Sequence, residues 1–352
     1  MRAVKVVVTG ATGNAGTSVV RALAADPAVT EVIGLARRVP RGYEVPGVRW
    51  VAGNVDPGGS DLVGLFARDG ADGVAVVHLA WKFQPTHDPL ETWHTNVLGG
   101  VRVFEACARA RVDALVHASS VGAYSPGPAD GSRVDETWPT HGWPGAAYTR
   151  EKAYLERYLD GFEAAHQSMR VVRMRPAFLF KETSASEQRR IFAGPLLPWK
   201  LVRPGLVPVL PDVGGLRFQA LHTDDAAEAY RAAVLRPVRG PFNLAAEPVL
   251  DTASLARLLH ARTLPLPAGA ARAALAAAWR MRLVPAAPGL LDAVLRLPLL
   301  YADRARLELD WTPARTATEA MAAFLEGLQS GQGLDTPPLA GAAAGPAGLH
   351  RR

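Results

Sequence analysis

The chain has 352 residues, 49% of them hydrophobic and 20% charged, with a formal net charge of +6. That length and apolar content allow a large core with a smaller second unit, and they exclude a disordered chain or a small disulfide scaffold. The single cysteine, Cys107, rules out an intrachain disulfide and suits a reducing compartment, while arginines spread without a dense basic run argue against a nucleic-acid reader.

Val4 to Val8 is a β-branched run that reads as a buried strand and is too short for the apolar core of a signal peptide. Thr9-Gly10-Ala11-Thr12-Gly13-Asn14-Ala15-Gly16 follows, then a helical stretch from Thr17 to Ala25. Gly10 permits a tight turn, Gly13 lets the backbone approach a pyrophosphate, and Gly16 lets the helix pack closely on the strand. The helix N-terminus offers free N–H groups and partial positive charge to phosphates. A dinucleotide-binding turn is therefore expected at Gly10, Thr12, Gly13, Asn14, Ala15 and Gly16.

Further strands are expected at 31–35, 48–51, 74–79, 114–119 and 170–175, with helices between them. This alternation implies a parallel sheet covered on both faces, a doubly wound α/β fold. The second strand ends in Ala36-Arg37-Arg38, without the carboxylate that would bind a ribose 2′-hydroxyl. Arg37 and Arg38 suit a 2′-phosphate, so NADP is expected over NAD.

Tyr148 and Lys152 stand four apart, on one face of a helix, downstream of Ser119-Ser120. A phenol ionises near about 10 and is a poor base at neutral pH unless a positive neighbour favours its phenolate. Hydride transfer to a carbonyl develops negative charge on oxygen, which needs a proton donor and a second hydrogen bond, and Tyr148 and Ser120 can give both. The nine histidines show no metal-ligand spacing, and no metal is expected.

Beyond Pro176, Pro195, Pro198, Pro204, Pro208 and Pro211 punctuate a segment expected to be a loop-rich lobe over the substrate. Asp224 to Leu235 reads as a helix and Phe242 to Ala245 as a strand returning to the sheet. The expected organisation is a nucleotide-binding domain at 1–175, rejoined by 221–246, and a smaller substrate lobe at 176–220 and 247–329. A Gly-, Pro- and Ala-rich tail at 330–352 is expected to be disordered. The region 264–300 is expected to form the core of the lobe. Its most apolar piece, Ala273 to Trp279, is bounded by Arg272 and Arg280 and is too short to span a bilayer, so no membrane partner is expected.

Together these marks resemble the extended branch of the short-chain dehydrogenase/reductase superfamily, the NAD-dependent epimerase/dehydratase family, over roughly Val4 to Leu328. They are Thr-Gly-x-x-Gly-x-x-Gly at 9–16, Val77-His78-Leu79-Ala80, Thr95-Asn96-Val97, Ala118-Ser119-Ser120-Val121-Gly122-Ala123-Tyr124, Tyr148-x-x-x-Lys152, Arg175-Pro176 and Leu221-His222-Thr223-Asp224-Asp225. The resemblance implies a Rossmann domain with a smaller C-terminal substrate-binding lobe. It implies Tyr148 as acid/base, Lys152 on the nicotinamide ribose and lowering the tyrosine pKa, Ser120 on the substrate oxygen, and Asn96 supporting the lysine. It places Leu79 and Ala80 beside the cofactor and Asn54 and Val55 beside the adenine, with Asn54 where the family has Asp. A homodimer, built partly from the Tyr148 helix, is implied by the same analogy, while the single Cys107 fits a reducing cytoplasm. His78 and His222 are expected to be structural.

Two departures narrow the chemistry. Ser120-Val121-Gly122 stands where dehydratases of the family carry Thr-Asp-Glu, so dehydration is not expected. Phe178 stands where enzymes acting on nucleotide sugars commonly have Asn, and Trp81, Phe83, Trp138, Trp143 and Trp199 in flanking loops suit an apolar ketone. The expected function is an NAD(P)-dependent oxidoreductase interconverting a carbonyl and a secondary alcohol on a small, hydrophobic organic substrate. A nucleotide-sugar epimerase with tightly held NAD is the alternative. A non-catalytic NADP-sensing protein is the third reading, and the intact Ser120, Tyr148 and Lys152 set argues against it.

Overall fold

The apolar runs fold as their alternation predicts. In the computed structural model, which describes residues 4–84, 86–194 and 202–341, seven strands form the central sheet. They are β1 (Val4–Thr9), β2 (Val29–Ala36), β3 (Val48–Ala52), β4 (Gly73–His78), β5 (Ala114–Ala118), β6 (Arg170–Pro176) and β7 (Gly240–Leu244). Their order is β7-β6-β5-β4-β1-β2-β3, all parallel. Chain order reverses between β1 and β4, and a doubly wound sheet opens its ligand crevice beyond the carboxyl ends of the strands at such a reversal.

Four helices cover the sheet: α1 (Asn14–Ala24), α2 (Gly99–Ala110), α3 (Ala147–Ala165) and α4 (Thr223–Leu235). Strand side chains alternate, so Val6 and Val8 of β1 face α1 and α4, meeting Val19, Val20, Leu23, Ala226 and Tyr230. Val7 faces the other way, into a layer with Phe104 of α2 and Leu155 and Leu159 of α3. Each fully buried Val, Leu or Phe in these layers contributes about 2 kcal/mol from water exclusion. Lys5 on β1 is buried along its stem, and its ammonium reaches Asp69 and the Ala67 carbonyl, each at 2.7 Å.

The lobe departs from expectation in two places. Helix α5 (Ala268–Arg280) has no buried residue, so it is not the core of the lobe. Its side chains are mostly alanine and arginine, too small or too polar to build one. Helix α6 (Ala317–Ser330) is closed at its start by a reciprocal Thr316 and Glu319 capping box and ends at Gly331. The residues after it were expected to be disordered, yet 331–341 pack against the body. Leu339 is fully buried, the Thr336 hydroxyl donates to the Thr12 carbonyl at 2.9 Å, and Arg190 donates to the Pro338 and Ala340 carbonyls. These contacts satisfy backbone groups that composition alone leaves to water. Pro195, Pro198, Trp199 and the last eleven positions of the expected tail, 342–352, lie outside the described residues.

Candidate active site

The crevice at the reversal point begins with the glycine turn. Gly10 has φ +68°, and a Cβ there would lie 2.7 Å from Ala80 backbone atoms, so only glycine lets the turn lie against the end of β4. Gly16 meets the Gly10 carbonyl in the same way, bringing α1 onto the turn. Gly13 precedes α1 without a side-chain cap, and the first turn of the helix carries no acid, so its N–H groups and positive end are directed at the crevice. Thr12 is buried, and Ala15 is half-buried beside it. The Asn14 amide donates to the Leu179 carbonyl, and its oxygen accepts from Thr223, tying the turn to the lobe.

A residue that motif reading did not assign completes this end. The Lys181 ammonium, itself buried, donates to the Asn14 carbonyl and to the Thr17 and Ser18 hydroxyls. Burial pulls its pKa down to about 8, while Asp224 opposes that shift.

Around the crevice, Leu79 and Ala80 hydrogen-bond back to Thr9. Arg37 and Arg38 are exposed beyond the end of β2. Val55 is buried against Gly99. Both polar ends of the Asn54 side chain are engaged by Asp56, at 2.9 and 3.1 Å. His78 bonds the Thr9 hydroxyl at 2.7 Å, and His222 caps α4.

Ser120 closes the loop after β5, its hydroxyl accepting from the Gly122 N–H at 2.9 Å. Tyr148 and Lys152, on the first turns of α3, stand across from it. Burial pushes the Tyr148 phenol up to about 12, with a hydrogen bond from Ser120 opposing and Glu151 adding to the rise. The ammonium expected to lower that pKa is engaged elsewhere. Lys152 Nζ donates to the Ala118 carbonyl at 2.6 Å and lies 3.5 Å from the centroid of the Trp81 ring, against 6.0 Å from that of Tyr148. Burial lowers the Lys152 pKa to about 7, while Glu151 and Glu156 hold it up.

Asn96 sits in a π-helical turn, His94–Leu98, a local widening that recurs at functional sites. Its carbonyl oxygen accepts from Lys82 N, and its amide donates to Lys82 O and to Glu151 at 2.7 Å. Thr92 donates to the other Glu151 oxygen at 2.6 Å. Asn96 therefore fixes the loop that carries Trp81 and Phe83 to the helix that carries Lys152. One turn further along the same face of α3, Glu156 takes a bidentate pair from Arg175 at 2.8 Å, and these ion pairs hold its carboxyl at about 2 despite burial.

Over Tyr148 the walls are aromatic. Phe83 stacks on the phenol with ring centroids 5.3 Å apart, Trp81 meets it edge-on at 5.6 Å, and Phe192 meets Phe83 edge-on at 5.7 Å. Phe178 stacks with Phe180 and packs edge-on to Phe218. The glycine turn, the uncapped helix and the paired serine and tyrosine form an arrangement able to hold a dinucleotide and move a proton at a neighbouring oxygen.

The family model described as the NAD dependent epimerase/dehydratase family matches residues 6–245, and this geometry lies largely within that span. The chain belongs to the NAD-dependent epimerase/dehydratase family. This family member is 35% identical over 107 residues to the Schizosaccharomyces pombe sterol-4-alpha-carboxylate 3-dehydrogenase erg26, decarboxylating. The match covers 30% of this chain and 30% of that protein, so it spans less than a third of the curated relative. Among solved structures, the Thermus thermophilus UDP-glucose 4-epimerase in complex with NAD aligns with TM-score 0.67 at 20% identity, over 92% of this chain and 99% of that one. UDP-N-acetylglucosamine 4-epimerase from Methanobrevibacter ruminantium M1, in complex with UDP-N-acetylmuramic acid, aligns with TM-score 0.66 at 16% identity, over 94% and 99%. These likenesses show the fold over more than nine-tenths of the chain.

Proposed function

We propose that this family member is an NAD(P)-dependent oxidoreductase that interconverts a carbonyl and a secondary alcohol on a small apolar substrate. The observation that carries this reading is the aromatic enclosure of Tyr148 by Trp81, Phe83 and Phe192. An apolar ring system or chain gains from burial there, whereas a sugar would leave hydroxyls without partners. The partial likeness to a sterol dehydrogenase supports the same substrate class.

Gly10, Gly13, Gly16 and the α1 N-terminus would hold the pyrophosphate, with Lys181 adding positive charge beneath it. Arg37 and Arg38, with no carboxylate at the end of β2, favour NADP over the NAD of the solved neighbours. The bound nicotinamide supplies or accepts the hydride. Tyr148 gives the proton to the nascent alkoxide, or takes it from the alcohol, and Ser120 holds the same oxygen through a second hydrogen bond. Asn96 and Glu151 keep Lys152 in place beside this pair. A homodimer through α2 and α3 is supported by exposed Leu98 and Tyr154 on that side. A cytoplasmic setting is supported by the buried, unpaired Cys107, and no helix among the described residues is long and apolar enough to cross a membrane.

The second reading, a nucleotide-sugar epimerase, is favoured by a separate cavity of about 510 Å³ lined by Pro126 to Asp130, Arg217 and Arg296, which suits an anionic group. The test is oxidation of NADPH and NADH over a panel of hydrophobic ketones, for the wild type and Tyr148→Phe. The reading expects turnover that falls about 1,000-fold in the variant, with cofactor affinity unchanged. Failure of every ketone, with NAD retained through purification and a UDP-sugar epimerised, would replace this reading with the second. Cofactor binding without any turnover would leave the sensor.

A further inference from the structure

Between Asp251 and Asp292 the sequence contains Arg257, Arg262, Arg272, Arg280 and Arg282 and neither Asp nor Glu. This stretch includes α5, the helix with no buried residue. Arg272 is paired with Asp292 at 2.8 Å. At the other end of the helix, Arg280, Met281, Arg282 and Leu283 are all exposed, Met281 by 63% and Leu283 by 41%. Arg282 has φ +58°, a left-handed turn that ends the helix. Two guanidiniums thus alternate with two large apolar side chains on one projecting turn.

This turn stands at the rim of the crevice. Trp279, one residue before it, stacks on His87 with centroids 4.0 Å apart and donates to the Thr86 hydroxyl. Gln84 of the same loop donates to the Ile191 and Pro285 carbonyls. Gly194 lies against Pro285 and the Leu283 carbonyl. Phe192 is two residues from that contact, and Phe83, stacked on Tyr148, is one residue from Gln84. Apolar groups therefore continue from the projecting turn to the reacting end of the crevice.

We propose that Arg280-Met281-Arg282-Leu283 docks this protein on an anionic membrane surface. Arginine heads pair with phosphate headgroups while Met281 and Leu283 enter the acyl boundary, the division of labour of an interfacial helix. A second copy is a poor occupant, because a two-fold contact would bring the Arg280-Met281-Arg282-Leu283 turn against itself, guanidinium to guanidinium. Nucleic acid would use the guanidiniums and leave Met281 and Leu283 in water. Docked in this way, the crevice would receive an apolar substrate from the bilayer past Phe192 and Phe83. That second step rests on the substrate class proposed above, and the docking does not.

The test is flotation of the full chain with vesicles of phosphatidylcholine alone and of phosphatidylcholine and phosphatidylglycerol in equal parts. No substrate or turnover enters the readout, so a wrong substrate class leaves it intact. The wild type is expected to float only with the anionic vesicles, and less so as salt rises. Arg280→Ala/Arg282→Ala lowers partitioning by about 30-fold. Met281→Ser/Leu283→Ser lowers it as well, and Arg109→Ala, on the exposed end of α2, leaves it unchanged. Thermal melting of each variant confirms that it is folded. No flotation of the wild type, or flotation indifferent to both double variants, overturns the proposal. So does binding to duplex DNA that needs the arginines but not Met281 and Leu283, or self-association in sedimentation that both double variants abolish.

Discussion

The Lys152 ammonium lies 3.5 Å from the centroid of the Trp81 indole and is held there by the Ala118 carbonyl. A desolvated cation over an indole is stabilised by about 2 kcal/mol. Trp81 thus competes with Tyr148 for the one charge able to activate the phenol. Trp81→Ala removes that competitor and admits water. The Tyr148 phenol then ionises about one unit or more below its wild-type value near 12. The check is tyrosinate absorbance against pH, each protein read as a difference from its Tyr148→Phe partner. An unmoved titration would assign the raised pKa to Phe83 and the surrounding burial alone.

His78 and His117 form a stacked pair beneath the same lysine, with ring centroids 5.5 Å apart. Burial, with Lys152 adding to it, depresses His78 to about 3 and His117 well below its ordinary value. Both His117 nitrogens are buried without a hydrogen-bond partner among the described residues. Between the unfolded value near about 6.5 and the folded one, the unfolded chain holds the extra proton, so stability falls as pH drops through that window and is unaffected above it. His117→Leu flattens the decline by about 1 kcal/mol per pH unit below 6. Melting temperatures from pH 8 down to pH 5 decide this, and parallel curves would refute it.

Exchanging Arg37 and Arg38 together for alanine tests the proposed preference for a 2′-phosphate. Affinity for NADPH is expected to fall about 30-fold while NADH binding barely changes, since charge-assisted bonds to phosphate contribute about 2 kcal/mol. Fluorescence titration with each reduced dinucleotide gives both constants. Equal losses for the two would show that the arginines do not read the phosphate.

Thr336→Val deletes the bond to the Thr12 carbonyl and leaves that oxygen buried, at a cost of about 1 to 2 kcal/mol. The turn loosens, and dinucleotide affinity falls by about 5-fold or more. Truncation after Gly331 should act in the same direction and further, because buried Leu339 goes with it. Tighter binding by the truncated chain would mean that the segment excludes the cofactor instead of supporting its turn.

Much of this arrangement is legible in the sequence, because it is local. β1, the glycine turn and α1 follow one another without interruption, and the four-residue spacing of Tyr148 and Lys152 fixes their shared face. The sheet follows from alternation of apolar runs whose side chains are buried on both faces. What escapes such reading depends on partners distant in the chain. Nothing near Trp81 announces that it covers Lys152. The exposure of α5 was hidden because alanine looks alike in a core and on a surface. The order of 331–341 was hidden because a Gly- and Pro-rich stretch gains its partners from Thr12 and Arg190.

The Thr336 to Thr12 bond joins residues 324 positions apart. The glycine turn is therefore translated 324 residues before the hydroxyl that fastens it. The nascent chain can complete its sheet through β7 while the glycine turn still lacks this hydroxyl. A chain that has not yet extended past Thr336 would accordingly present the proposed cofactor turn without this fastening.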